Sequence, residues 1–398
     1  MQIYYLSAAA SDRLIDKIKL SKGKDPGYAV QKFNKLVIKG LIENGCNLTV
    51  KSNVPIDSTT NSELFFSGKE TEDGIIYNYT PFINRKALKQ ITIFLNTFFS
   101  VLKWGLTKKS DKVVICDGLS ISQSLAAVLA RIFNGIRVVG IMTDMPGLMV
   151  TTESSKSSYI HKFKRKFVTA INKLYLHHFS HYVLLTDAMN PIMNPHNKPY
   201  IVMEALCDPN MCKICTESKY ALKTIMYAGG LHEKYGLKTL VEAFMRIKDP
   251  NIRLLIYGSG PYATELKRLS QIDKRISYMG LAPNSEVVNA ELKSFILVNP
   301  RPTTEEFTKY SFPSKNMEYM ASGTPLLSTN LPGMPTEYHE YIYLFEDESV
   351  EGFHKTLQDI LKLKDNEVNK KGIQAKQWVL ENKNFIVQAN RILNIISY

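Results

Sequence analysis

The sequence has no long apolar run, and its first residues do not have the pattern of a secretory leader. No stretch approaches the ~18 uninterrupted apolar residues of a membrane-spanning helix, and the longest candidate, Ile91–Leu102, is interrupted by Asn96 and Ser100. The N-terminus carries no basic segment ahead of its apolar residues, and its apolar run is broken at once by Ser11 and Asp12. These absences predict a first β-strand at the N-terminus and a cytoplasmic protein.

Cysteine is scarce, with five residues in 398, which is typical of a reducing compartment rather than of a disulfide scaffold. Cys207, Cys212 and Cys215 have a spacing that resembles a metal site, but no second pair of ligands follows at the usual distance. Cys46 and Cys116 lie within strand-like segments. We therefore expect no metal, and a linker with incidental thiols between two domains.

Negative charge is also in short supply, since 37 Asp and Glu face 50 Lys and Arg, a formal net charge of +13. Residues 1–208 contain 26 Lys and Arg against 16 Asp and Glu, whereas residues 209–398 contain 24 against 21. A basic surface can serve nucleic acid, an anionic membrane or an anionic ligand. No RNP motif, zinc finger or basic zipper accompanies the charge, so no nucleic-acid partner is expected.

The segment Lys156–Lys173 concentrates this charge and interleaves it with aromatic side chains. Lys164 and Arg165 stand between Phe163 and Phe167. Such a helix suits the anionic surface of a membrane; the alternative is a solvated helix that packs its two phenylalanines inward. The basic first half favours peripheral contact with the inner face of the cell membrane.

Strand-like and helix-like segments alternate along the chain with short connections, which predicts an α/β fold with parallel sheets. The length favours two domains. Periodicity is lost near Asp208–Lys219, so we expect an N-terminal domain at residues 1–208 and a C-terminal domain at residues 209–372. The rest, residues 373–398, is predicted as one amphipathic helix, about Ile373–Ile396, that crosses back to the first domain.

Three strand-to-helix junctions in the second half are rich in glycine. They contain Gly229 with Gly230, Gly258 with Gly260, and the segment Phe312–Pro325. Glycine at the carboxyl end of a parallel strand lets backbone N–H groups approach a phosphate, and a following helix N-terminus favours negative charge there. A turn without a ligand is the alternative for any one junction, but three in one domain favour phosphate binding.

The pair Gly258 and Gly260 also resembles the start of a dinucleotide fingerprint. Ala263 stands where the third glycine would be, and no acidic residue ends a following strand at the expected distance. A dehydrogenase is therefore not favoured.

The stretch from about Thr224 to Phe353 resembles a known family in the order of its motifs. These read MYAGGLHEKYGLKTLVEAF, then LLIYGSGPYATEL with ISYMGLAP, then YSFPSKNMEYMASGTPLLSTNLPG. They are similar to the phosphate loop, the following units and the sugar-nucleotide signature of the GT-B glycosyltransferases of family 4, also called group 1. The resemblance implies an α/β GT-B fold, with two Rossmann-like domains whose parallel sheets face a central cleft. The first 208 residues resemble the family only in their alternation of strands and helices.

The resemblance implies roles for particular residues of the second domain. Glu318 matches the signature glutamate that binds the ribose hydroxyls, and Lys234 matches the loop lysine that neutralises the leaving diphosphate. For these two, the alternatives are a solvated glutamate and a surface lysine. The remaining residues that we expect to contact the donor are Gly229, Gly230, Gly258, Arg301, Tyr310, Ser314 and Lys315.

The sequence departs from the family pattern at two of these positions. Tyr310 stands where the family has its first signature glutamate, which contacts the donor sugar, and Glu305 or Glu306 is a candidate substitute. Gly230 stands where the family has a loop arginine, and Arg301 is a candidate for the missing charge.

In the first domain, many relatives carry a histidine of the catalytic site after the strand that matches Val138–Met142. The nearest polar residue here is Asp144, a candidate contact to the acceptor or the donor sugar, with a turn cap before Pro146 as the equal alternative. Asp117 is a weaker candidate of the same kind, and the loop Gly23–Gly27 is expected at the lip of the cleft.

By resemblance, the expected activity is transfer of a sugar from a nucleoside-diphosphate sugar, with a UDP-sugar favoured over a GDP-sugar, and retention at the anomeric carbon. No cofactor is expected beyond this donor, and the expected acceptor is a glycan, most simply a lipid-linked one used for a cell-surface polysaccharide. Two alternatives stay open: a sugar-nucleotide epimerase or phosphorylase of the same fold, and a non-catalytic partner subunit, which Tyr310 and Gly230 motivate.

Overall fold

The computed structural model describes residues 1–22, 27–56, 63–86, 88–107, 111–145, 170–172, 174–210 and 218–397. It divides into two compact units. The first unit comprises Met1–Leu206 together with Phe385–Tyr398, and the second comprises Cys207–Asn384. Most of two predicted segments lies outside the described residues, namely Lys156–Lys173 and Gly23–Gly27. Cys212 and Cys215 lie outside them as well.

The first unit is built on an eight-stranded sheet with the order β3-β4-β2-β1-β5-β6-β7-β8. Every neighbouring pair is parallel except β3 with β4, which form an antiparallel hairpin. The strands are β1 Gln2–Ser7, β2 Asn47–Ser52, β3 Phe65–Glu72, β4 Ile75–Ile83, β5 Lys112–Asp117, β6 Arg137–Met142, β7 His181–Leu184 and β8 Tyr200–Val202. All six residues of β5 are buried, as expected for a parallel strand covered on both faces.

Helices cover this sheet, and most were visible in the sequence as apolar periodicity. They are α1 Asp12–Lys22, α2 Tyr28–Glu43, α3 Leu88–Leu106, α4 Ile121–Asn134 and the short α5 Asn190–Met193. The α2 helix is capped by Asn44, whose backbone N–H donates to the Gly40 carbonyl, and Gly45 follows with φ 76°. The left-handed conformation after the last turn is the usual use of glycine at a helix C-terminus.

The second unit has a six-stranded, wholly parallel sheet with the order β11-β10-β9-β12-β13-β14. The strands are β9 Lys223–Ala228, β10 Ile252–Tyr257, β11 Ile276–Gly280, β12 Ile296–Asn299, β13 Leu326–Thr329 and β14 Tyr343–Phe345. The helices are α6 Leu237–Arg246, α7 Ala263–Ile272, α8 Asn284–Lys293, α9 Ser314–Ser322, α10 Val350–Lys362 and α11 Asp365–Asn382. This strand order is the Rossmann order, and it confirms the expected α/β class.

The C-terminal segment corrects one expectation. The predicted single helix about Ile373–Ile396 is two helices, because α11 ends at Asn382 and α12 runs from Phe385 to Ser397. Asn384 donates its side-chain amide to the Leu380 carbonyl, and the Lys383 carbonyl accepts the Cys207 N–H. Phe385 and Ile392 of α12 are buried in the core of the first unit.

The β3–β4 hairpin and the helix α1 were not predicted from the sequence. The β3–β4 hairpin places Glu72 at the start of α1, where its carboxylate accepts the Asp12 N–H at 2.6 Å. Glu70 accepts hydrogen bonds from Ser11 and from the Tyr79 hydroxyl. The Glu72 carboxylate thus satisfies an N–H group that the first turn of a helix leaves unpaired. Among the helices described, none is long and apolar enough to cross a membrane.

Candidate functional site

The candidate site lies at the carboxyl ends of β9 and β12, the neighbouring strands at which the order of the second sheet reverses. In open α/β sheets, ligands bind in the crevice at this switch point. β9 ends at Ala228, which is followed by Gly229 and Gly230, and β12 ends at Asn299, which is followed by Pro300 and Arg301. The first glycine-rich junction and the candidate cation Arg301 therefore leave the sheet side by side.

Backbone hydrogen bonds connect the loops that follow the first three strands of this unit. The Gly229 N–H donates to the Tyr257 carbonyl at 3.1 Å, and the Gly258 N–H donates to the Gly280 carbonyl at 2.8 Å. A Cβ atom on Gly258 would lie 1.9 Å from the Gly229 carbonyl oxygen, and its φ is +132°. Gly258 is thus required for the close contact between the two loops. Its own N–H already donates to the Gly280 carbonyl within the fold.

We expect Gly258→Ala to destabilise the second unit by about 3 kcal/mol, because the added methyl group must push the Gly229 loop away and also occupies a strained φ. Denaturant unfolding would measure the change. Gly280→Ala is the matched control: its φ is +72°, but its Cβ would meet only the Tyr278 hydroxyl, at 4.0 Å. Backbone strain alone predicts about 1 kcal/mol there. Equal losses in the two variants would contradict the contact argument.

Two cations lie next to the same pair of aromatic rings. The Arg301 guanidinium carbon is 4.9 Å from the centre of the Tyr235 ring and 5.4 Å from that of Phe307. The Lys234 Nζ is 5.6 and 5.9 Å from the same two centres. Both contacts have the geometry of cation–π interactions.

Neither of these cations has a carboxylate partner within the described part of the chain. The Arg301 Nε is buried and forms no hydrogen bond there, and burial lowers the pKa of the Arg301 guanidinium below its ordinary value. Two neighbouring like charges without a counter-ion repel one another, and burial increases the cost. The arrangement therefore favours a bound polyanion such as a diphosphate.

The signature helix α9, which carries Glu318 and Lys315, is attached to the ends of the same two strands. The Tyr319 hydroxyl, next to Glu318 in the sequence, accepts the Ala228 N–H at 2.8 Å and donates to the Ala228 carbonyl at 3.1 Å. At the end of β12, the Asn299 amide donates to the Asn316 side chain at 2.7 Å. These bonds fix the first turns of α9 against the ends of both switch-point strands.

Lys315 is held between two carboxylates. Its Nζ lies 2.7 Å from Glu318 Oε2 and 3.7 Å from Glu291 Oε1. Burial alone would lower the pKa of Lys315, but the Glu318 and Glu291 carboxylates raise it above its ordinary value. Because Glu291 is 2% exposed on α8, its carboxylate supports Lys315 from inside the fold.

The other predicted donor contacts have simpler surroundings. Ser314 is exposed at the first position of α9, after Pro313. Tyr310 ends the short 3-10 helix Glu306–Lys309, and its N–H donates to the Phe307 carbonyl. The Gly230 carbonyl accepts the Tyr227 hydroxyl at 2.9 Å, which fixes the loop before Lys234. The roles of these residues toward a donor stay predictions.

Asp144 and Asp117 belong to the first unit. Asp144 follows β6, its Oδ1 accepts the Met145 N–H at 2.7 Å, and burial raises its pKa. Asp117 is the last residue of β5, which neighbours β1 at the point where the order of the first sheet reverses. Burial raises the pKa of Asp117 as well, while the Leu119 N–H donates to its Oδ1.

Part of the second unit is similar in sequence to known proteins. Residues 222–363 match the family Glycosyl transferases group 1. A D-inositol 3-phosphate glycosyltransferase of Corynebacterium glutamicum is 32% identical over 124 residues, which cover 28% of this chain and 28% of that relative. The residues that match lie within the second unit, which is thus similar in sequence to a group 1 glycosyltransferase domain.

Solved structures extend the likeness to the whole chain. HepE of Anabaena, in complex with UDP, has a TM-score of 0.66 at 11% identity, with all of both chains covered. Sucrose-phosphate synthase of Thermosynechococcus elongatus has a TM-score of 0.63 at 13% identity, covering 100% of this chain and 98% of that one. At these identities the likeness concerns the fold, which is GT-B.

Three residues of the second unit that shape the candidate site were not identified from the sequence. Tyr319 holds α9 against β9, Glu291 supports Lys315, and Glu348 accepts the Thr303 N–H at 2.9 Å in the loop after Arg301. Glu291 and Glu348 are distant from the signature in sequence, so no spacing indicates them. Tyr319 lies inside the signature, but its role is visible only in the fold, where its hydroxyl contacts the end of β9.

Proposed function

We propose that this protein transfers a sugar from a nucleoside-diphosphate sugar, with retention of anomeric configuration, to a hydroxyl group of a glycan acceptor. The observation that carries the proposal is the pair of cations Lys234 and Arg301, without carboxylate partners among the described residues, in the loops that follow the two switch-point strands. A diphosphate matches that pair in charge. The ribose offers two hydroxyl donors to the Glu318 carboxylate, and charged acceptors form the stronger hydrogen bonds.

In the proposed reaction, the bond between the anomeric carbon and the diphosphate oxygen breaks, and its electron pair stays on the diphosphate. The acceptor oxygen bonds to the same face of that carbon, and its proton passes to the departing phosphate oxygen. Lys234 and Arg301 stabilise the charge that develops on the diphosphate. Because their positions are set by the rings beneath them, the stabilisation requires little reorganisation during the reaction.

Within this proposal, UDP is the favoured nucleotide, and the acceptor is a lipid-linked glycan for a cell-surface polysaccharide. HepE was solved with UDP, which supports the choice of base. The basic composition of residues 1–208 supports an acceptor that is presented at an anionic membrane. Asp144, after β6, is the proposed contact of the first unit to a sugar.

A thermal-shift panel tests the donor half of the proposal. UDP, GDP, ADP, CMP and their common sugar conjugates would each be added to the full chain. A ligand at about 100 times its dissociation constant adds about 2.7 kcal/mol, which raises the melting temperature of a unit of this size by about 5–10 °C. We expect that shift with UDP or a UDP-sugar. The absence of a shift with every nucleotide would remove the donor assignment and favour a non-catalytic subunit.

A further inference from the structure

The helix α3 carries a row of exposed apolar side chains along one side. Leu88, Ile91, Leu95, Phe99 and Leu106 are each between 44% and 66% exposed, at spacings of three, four, four and seven residues. These spacings keep a single face of an α-helix. The row spans 18 residue steps, or about 27 Å at the helical rise. The opposite side of the helix, with Ile93, Thr97 and Val101, is buried.

The neighbouring helix α4 extends the row sideways at its C-terminal end. Ile132 and Phe133 are 72% and 67% exposed. The Phe133 ring lies 6.0 Å from that of Phe98 on α3, and the Asn134 amide donates to the Val101 carbonyl. We call the five residues of the α3 row, together with Ile132 and Phe133, the apolar face. Soluble monomers rarely expose a contiguous patch of this kind unless it binds something.

The two helices that form the apolar face carry charges of one sign. The sequence has no Asp or Glu between Asp73 and Asp111, a span that includes all of α3. It also has none between Asp117 and Asp144, which includes all of α4. Arg85 and Lys86 are exposed just before α3, and Lys103 is exposed beside Phe99 and Leu106. An apolar face whose own helices carry cations and no carboxylates is complementary to a bilayer with anionic headgroups.

We propose that the apolar face is a docking surface for an anionic membrane, with α3 lying in the plane of the interface. Leu95, Phe99, Leu106 and Phe133 enter the boundary between headgroups and acyl chains, while Lys103 meets lipid phosphates. A second copy of this chain fits less well, since a two-fold interface would bring this face against itself and set cation against cation. The inference deepens the membrane part of the proposed function and does not depend on the donor.

Vesicle co-sedimentation of the full chain tests the docking surface. The probes are vesicles of phosphatidylcholine with 30 mol% phosphatidylglycerol, compared with phosphatidylcholine alone. We expect the wild type to bind the anionic vesicles, and the triple variant Phe99→Gln, Leu106→Gln, Phe133→Gln to bind with a partition coefficient about tenfold lower. Lys103→Glu is expected to weaken binding to the anionic vesicles, with a loss that shrinks at high salt.

A matched control separates the effect of this face from the effect of replacing any exposed apolar side chain with glutamine. Ile272, Leu281 and Ile373 of the second unit are 61%, 78% and 62% exposed, and their triple Gln variant is expected to bind vesicles like the wild type. Each triple variant should keep the wild-type melting temperature and nucleotide shift, so a failure here is distinct from a failure of the donor assignment.

Three results would overturn the proposal. The first is unchanged vesicle binding by the triple variant of the apolar face. The second is a wild-type dimer in light scattering that this variant converts to a monomer, which would assign the face to a second copy. The third is loss of binding by Lys164→Glu, Arg165→Glu with no loss by the apolar-face variant, which would assign the membrane contact to the segment Lys156–Lys173.

Discussion

Arg301→Met is expected to lower kcat by about 10²-fold, the scale of losing one preorganised group that stabilises transition-state charge. The guanidinium stands over Tyr235 and Phe307 without a carboxylate partner among the described residues, so its charge is available to a departing diphosphate. Methionine keeps an apolar, polarisable side chain against both rings. The measurement is steady-state kcat and KM with the nucleotide sugar identified by thermal shift, together with the dissociation constant of the nucleotide.

Three further variants give this prediction its control and its test of mechanism. Arg246→Met makes the same chemical change in the same unit, at an exposed guanidinium that pairs with Glu351 at 2.8 Å, and should leave kcat unchanged because such surface pairs contribute little. Lys234→Met should reduce kcat too, and the double variant should lose less than the product of the single losses, since both cations act on one anion. A kcat within twofold of wild type for Arg301→Met would refute the role assigned here.

The parts of the fold that were predictable from sequence are those fixed by local pattern. Apolar periodicity and glycine-rich junctions indicated the Rossmann arrangement of the second unit. The positions of Gly229, Lys234 and Glu318 relative to strands and helices followed from that arrangement. In a parallel sheet the carboxyl ends of neighbouring strands lie at one edge. A residue that directly follows a strand can therefore be placed at that edge from the sequence.

What the sequence could not indicate depends on contacts between distant segments. Glu291 becomes relevant only because α8 packs its buried carboxylate within 3.7 Å of Lys315. The end of α11 at Asn382 depends on Cys207, whose N–H binds the Lys383 carbonyl. The run Asn382–Asn384 offered a local signal for that end, since asparagine favours helix boundaries, but the apolar period on both sides concealed it.

Glu318→Ala is expected to lower kcat/KM by about 30-fold. The carboxylate would lose two ribose hydroxyl bonds, and a loss of about 2 kcal/mol is at the low end for hydrogen bonds to a charged group. The specific readout is discrimination between UDP and 2′,3′-dideoxy-UDP in a binding assay. The wild type should prefer UDP, whereas Glu318→Ala should bind both equally, because the analogue lacks the hydroxyl groups that the carboxylate accepts.

Glu291→Gln extends this test to the residue behind the site. The amide keeps the shape of a side chain that is 2% exposed but removes the charge next to Lys315, so Lys315 is expected to bind Glu318 more tightly and compete with the ribose. We expect UDP affinity to fall about threefold, which corresponds to about 0.7 kcal/mol, with no change in the affinity for dideoxy-UDP. Equal losses for both nucleotides would indicate a general disturbance of α9. If Glu318→Ala still prefers UDP, the ribose is bound by other residues, because its hydroxyl groups cannot donate to a carboxylate that has been removed.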